Sequence, residues 1–143
     1  MRLQVALDTD GELLRAVVTG TVSFDAAWQV LREICDAATQ QRLVRILIDA
    51  LGAQGVTTTV DRYTLGVKLV TYCGEQKLWP RMAFIGQPPV IDGFGVLVAK
   101  NRGLVTERFP NWTEALEWVL SAPTTRSANE YFSKTREPQR PQQ

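Results

Sequence analysis

The chain contains no histidine. This removes the commonest general base near neutral pH and the commonest transition-metal ligand, so serine–histidine, cysteine–histidine and histidine-based zinc or iron chemistry are excluded. Cysteine is scarce too. Cys35 and Cys73 are the only two; each sits in an apolar helical pattern without C-x-x-C spacing, and they read as buried free thiols of a reducing compartment. Two separated thiolates do not complete a tetrahedral zinc site, and neither a metal nor a cofactor is expected. Charge of one sign is also missing. Sixteen basic residues against fifteen acidic leave a net charge of +1, too little to draw in nucleic acid or an anionic membrane surface. Apolar runs are short, none approaching the roughly 18 residues of a membrane span. Met1–Val5 lacks the basic and apolar regions of a signal peptide, so a cytoplasmic location is expected. Gly52 and Gly55 are not followed by G-K-[ST], which leaves nucleotide hydrolysis without support.

What is present is a chain of 143 residues, 45% hydrophobic, enough for one domain with a sizeable core and too little for two ordinary ones. The domain is expected over residues 1–121. From 122 to 143 prolines, glutamines and arginines dominate, with Tyr131 and Phe132 as the only bulky apolar residues; alone, such a tail buries too little surface to order itself.

Leu3, Val5 and Leu7 alternate with more polar neighbours, and a second run from Leu13 to Val18 follows Asp10-Gly11, which predicts an antiparallel hairpin. Ser23 is a good N-cap for a helix from about Phe24 to Thr39, whose apolar positions recur at helical spacing. Val44–Ile48 suits a strand buried on both faces, ending at Asp49. A polar, glycine-containing loop is expected over Ala50–Thr59, then a helix from Val60 through Cys73 with Gly74 at its C-terminal cap. Met82–Ile85 reads as a strand broken by Gly86-Gln87-Pro88-Pro89. Asp92 is expected to cap a helix over Phe94–Asn101, stopped by Gly103. Val105–Phe109 fits a last strand, and Asn111 with Glu114 starts a last helix. Trp28, Trp112 and Trp118 are expected in the core, with Trp79 partly exposed. The fold class is α/β: a mixed, mostly parallel five-stranded sheet flanked by about four helices in the order β-β-α-β-α-β-α-β-α.

Within this order, Arg62-Tyr63-x-x-Gly66, Met82-Ala83-Phe84-Ile85-Gly86, Ala99-Lys100-Asn101-Arg102-Gly103 and the Phe109…Ala115-Leu116-Glu117-Trp118 ending resemble the SpoIIAA-like branch of the STAS (sulfate transporter and anti-sigma factor antagonist) superfamily, over roughly residues 3–120. The resemblance implies this sheet, similar also to the core of CRAL-TRIO lipid-binding domains, and a non-enzymatic regulatory module with a protein partner. In antagonists of this layout a D-S-S-G motif after the third strand carries a phosphorylated serine. The corresponding stretch here, Asp49 to Thr59, contains no serine, so only Thr57, Thr58 or Thr59 remains as a phospho-acceptor.

In open sheets of this kind ligands bind beyond the carboxyl ends of the parallel strands, here residues 49–59 and 86–93. The Thr57–Thr59 hydroxyls and the start of the second helix suit an anion, or Thr58 or Thr59 is simply an N-cap. Asp49 is either an acid–base group or a turn residue. Arg62 and Arg102 either reach an anionic ligand or a partner, or, for Arg102, bond the last carbonyls of its own helix. The expected function is a protein-interaction or regulatory module, with a homodimer, to which sheet edges and the tail both point, as one form; the alternative is a binder of a small acyl or anionic metabolite at the carboxyl edge of the sheet.

Overall fold

The computed structural model describes residues 1–121; the expected tail, with Tyr131 and Phe132, lies outside the described residues. The element order is β1 (Gln4–Asp10), β2 (Leu13–Thr21), α1 (Phe24–Gln41), β3 (Arg45–Gln54), α2 (Thr59–Gln76), β4 (Arg81–Ile85), α3 (Phe94–Asn101), β5 (Val105–Phe109) and α4 (Trp112–Leu120). This is the order expected from the sequence. β1 and β2 form the hairpin, with Asp10 opposite Leu13 and Gly11 at φ 63° opening the turn, a conformation that a residue with a Cβ adopts reluctantly.

The sheet runs β1-β2-β3-β4-β5, and only the first pair is antiparallel. Each crossover therefore advances in the same direction. Right-handed connections that always step the same way put their helices on the same face, and α1, α2 and α3 duly share one core with Leu14, Ala16 and Val18 of β2, Ile46 and Ile48 of β3, and Met82 and Phe84 of β4. The intervening residues Leu13, Leu47, Ala83 and Ile85 point to the other face, where Ala115 and Val119 of α4 cover them. Period-2 alternation thus divides one sheet between two cores, and β3 and β4 read as continuous apolar runs because both of their faces are covered.

α4 has no basic residue in its last turn. Two strands supply the missing cations: Arg45 donates to the Val119 carbonyl at 2.6 Å, and Arg81 donates to the Trp118 carbonyl at 3.0 and 2.9 Å while lying 3.8 Å over the Trp118 ring. The guanidinium groups add donors to carbonyls of the last turn, that of Trp118 being shared with Ser121, and sit at the negative end of the helix dipole.

Several boundaries differ from those expected. β3 does not end near Asp49 but continues to Gln54, because β2 also continues, and Thr19, Gly20 and Thr21 pair with Gly52, Ala53 and Gln54 past a register shift. Only residues 55–58 remain as loop. α2 passes through Gly74 and ends at Lys77, whose φ of 56° is left-handed and whose N–H reaches the Cys73 and Gly74 carbonyls. Gly93 takes the cap position of α3, and Asp92, one residue earlier, accepts from the Phe94 N–H at 3.0 Å. Trp28 is outside the core: it lies between α1 and α2, edge-on to Tyr72 at 5.7 Å with the Lys68 ammonium 4.9 Å from its ring centre. Its amphipathic position fits equally well a groove between two helices. Trp79 is exposed, as expected. Cys35 and Cys73 are free and buried, and hydrogen bonding to Cys73 together with burial pushes the Cys35 thiol up, keeping it protonated.

Candidate functional site

α2 and α3 approach each other through glycine. A Cβ on Gly66 would stand 2.7 Å from the Gly95 carbonyl oxygen and 3.0 Å from the Val98 side chain, and one on Gly95 would stand 3.1 Å from the Arg62 carbonyl oxygen. This contact fixes the first turns of both helices over the carboxyl ends of β3 and β4. Where they meet α1 and the sheet, small residues (Ala27, Ala50, Ala53 and Ala99) occupy positions that larger side chains would fill. The outcome is a cavity of about 150 Å³. Val18, Ile48 and Phe84 form its floor, and Val30, Leu69 and Val96 wall it from the three helices.

Three polar side chains reach the cavity: Thr57, Arg62 and Asp92. They bond to one another. Arg62, in the first turns of α2, donates from Nε to Thr57 Oγ1 at 3.2 Å, from Nη1 to Asp92 Oδ2 at 2.8 Å and from Nη2 to the Pro89 carbonyl at 2.6 Å. The same Asp92 holds the start of α3 through its other oxygen. Arg62 is therefore a clasp that joins the loop before α2, α2 itself and the segment before α3 at the cavity's edge. Its side chain is 15% exposed, so the pair is partly withdrawn from water and less screened than a surface ion pair.

The other residues singled out in the sequence go elsewhere. Thr58 is the N-cap of α2, accepting from the Asp61 N–H at 3.0 Å; Thr59 is exposed in the first turn. Asp49 points away from the cavity, to the α4 face: Oδ2 accepts from Trp112 Nε1 at 2.6 Å and Oδ1 from the Leu51 N–H at 2.9 Å. Arg102 donates to the Val98 carbonyl at 3.4 Å and to Tyr63 Oη at 3.0 Å, with its guanidinium 5.3 Å from the Tyr63 ring centre. It closes the end of α3 onto α2. Of the six residues, then, the fold brings Thr57 and Arg62 together at the cavity and leaves Thr58, Thr59, Asp49 and Arg102 outside its lining. Pro89 and Asp92 lie in the 86–93 stretch expected at this edge, but their bonds to Arg62 were not legible, since no local spacing connects position 62 to positions 89 and 92. The alanines and glycines facing one another across helices and strands were the available signal for the cavity itself.

Among the described residues no group of three or more His, Cys, Asp or Glu is placed to hold a metal ion, and no helix is long and apolar enough to cross a membrane. The site is thus an apolar chamber with one internally neutralised ion pair, and the scaffold around it is a five-stranded sheet wound in one direction. No family model and no curated protein matches the sequence. Solved structures do match the fold. An anti-sigma factor antagonist from Mycobacterium paratuberculosis is similar at a TM-score of 0.56 and 14% identity, over 82% of this chain and 93% of that one. An uncharacterized protein with a SpoIIAA-like fold from Shewanella loihica is similar at a TM-score of 0.52 and 19% identity, again over 82% and 93%. The chain has a SpoIIAA-like fold, and the relationship read from its motifs is one of architecture.

Proposed function

We propose that the chain is a non-enzymatic, cytoplasmic binding module that receives a small apolar molecule in the cavity between the sheet and the first turns of α2 and α3. The observation that carries this reading is the cavity, whose wall is apolar apart from Thr57 and the Arg62–Asp92 pair. Apolar space of this size, partly open to the surface, forfeits contacts that would otherwise pack it, and a fitting molecule restores them. The absence of a catalytic set in the lining supports binding over turnover: Asp92 is held by Arg62 and the Phe94 N–H, and the chain has no histidine. Solvent extraction and mass spectrometry of protein purified without denaturation test it. The expected result is a small apolar molecule in stoichiometric amount, or empty protein whose melting temperature rises when such molecules are added. Empty protein that no small apolar molecule stabilises would contradict the reading.

A second reading, protein interaction, is favoured by the surface beside the cavity. Val56, Val60 and Tyr63 lie at and just before the start of α2 and are 67%, 71% and 45% exposed, and one protein of similar fold is an anti-sigma factor antagonist. In this reading the partner, a second copy or another protein, covers these three side chains. Val60→Glu should then abolish the association while leaving the fold intact; an unchanged complex in analytical ultracentrifugation would remove this surface from consideration.

A further inference from the structure

The two charged groups at the cavity constrain what can enter it. Among the described residues, Arg62 and Asp92 are the ionisable ones in the lining, and they bind each other at 2.8 Å. A carboxylate entering the cavity would leave water and find a guanidinium already neutralised, with the Asp92 carboxylate beside it. A cation would meet the mirror situation. Neither gains a counter-charge to offset its desolvation. An uncharged molecule has no such cost.

One polar group remains to orient a neutral guest. Thr57 is 9% exposed, and its Oγ1 accepts from Arg62 Nε. A hydroxyl can accept and donate at once, and among the described residues no group accepts the Thr57 proton. That proton can reach a carbonyl, ether or hydroxyl oxygen of a guest at the cavity's edge. The remaining lining is mostly apolar side chains and suits a body about as large as a benzene ring with a short substituent, since a dry apolar cavity near 150 Å³ in another protein takes up benzene.

We propose, resting on the reading of the cavity as a small-molecule site, that its ligands are uncharged ring-sized apolar molecules carrying one hydrogen-bond acceptor, selected against both anions and cations by the closed Arg62–Asp92 pair and oriented by the Thr57 hydroxyl. The clasp acts as a charge filter. Opening either half converts the filter into a receptor for the opposite sign: Asp92→Asn leaves Arg62 without its counter-ion, and Arg62→Gln leaves Asp92 without its own.

Titration with four probes of similar shape tests the assignment: acetophenone, toluene, benzoate and benzylammonium, with binding followed calorimetrically on the full chain. Wild-type protein should bind acetophenone more than about tenfold tighter than benzoate or benzylammonium, the least difference expected when a charge is buried unpaired. Thr57→Val should weaken acetophenone about fivefold, the net worth of one hydrogen bond, and leave toluene unchanged. Asp92→Asn should reverse the order of acetophenone and benzoate, and Arg62→Gln should do the same for benzylammonium; the two variants are independent, so one that fails to fold leaves the other to decide. Wild-type protein that binds benzoate as tightly as acetophenone would overturn the charge filter while leaving the cavity a binding site. Wild-type protein that binds none of the four would overturn the cavity reading and this inference with it.

Discussion

At the residue scale the polar side chains of this chain are turned toward one another. Arg62 is shared among Thr57, Asp92 and Pro89, Arg102 between Val98 and Tyr63, and Asp49 between Leu51 and Trp112. The bond of Arg102 to the end of its own helix is legible in the sequence, but Asp92 and Pro89 beside Arg62, Tyr63 beside Arg102 and Trp112 beside Asp49 come from other elements, with nothing in the local pattern to announce them. Asp49 shows the difficulty: a lone carboxylate at a strand end carries no mark of which face it takes, and only the pairing of β3 with β2 and β4 sends it to Trp112. Tyr72 offers a test of such a pairing. It donates its hydroxyl to Asp36, and this hydrogen bond holds the phenol above its ordinary value of 10.0, with burial adding to it. The folded state thus retains the Tyr72 proton more strongly than the unfolded chain. The stabilisation is complete below pH about 10 and is lost as the pH rises through the folded value. Spectrophotometric titration should show Tyr72 ionising above its ordinary value, and Asp36→Asn should return it toward that value; a titration unchanged by that substitution would remove the pairing.

At the element scale, helices were more legible than strand ends. Ser23, Thr58 and Asn111 each cap their helix through the side chain, as Ser, Thr and Asn before an apolar stripe predict. β3 was underestimated because its second half, Leu51–Gln54, has little apolar content and is strand only through pairing with β2, a non-local fact. Gly74 reads as a terminator because a glycine within a helix and one beyond it look alike in sequence, but the left-handed position falls to Lys77. Gly66 has a consequence that can be measured. Its missing Cβ lets α2 and α3 touch through backbone, with the Gly95 carbonyl in the way of any side chain. Gly66→Ala gains helix propensity of roughly 1 kcal/mol but forces the two helices apart, a cost of about 1–3 kcal/mol for overpacking. A net loss of stability in denaturant unfolding is expected, together with weaker binding in the cavity that this contact closes. A more stable variant with unchanged binding would show that the contact does not hold the site.

At the scale of the whole molecule the winding direction decides the rest. Sequential parallel strands place three helices on one face and leave the other to α4. The order of elements was readable because the hydrophobic period changes cleanly between strands and helices. The sheet order follows from it with one further rule of handedness. The cavity was not readable in this way, since its volume depends on how far small residues on separate elements fall short of touching. A cavity does lie near the carboxyl edge where a ligand was expected, but the closure of Arg62 and Asp92 on each other there was not legible.

Binding of a small uncharged molecule in this cavity is open to direct measurement. The experiment is methyl NMR of valine, leucine and isoleucine side chains during titration with acetophenone, on wild-type protein and on Ala50→Leu, which puts a larger side chain into the space. Saturable shifts centred on Val18, Val30, Ile48, Leu69 and Val96 are expected, with their loss in Ala50→Leu at an undiminished melting temperature. Saturable shifts confined to residues outside the lining, or shifts that persist with the cavity filled, would contradict binding in the cavity.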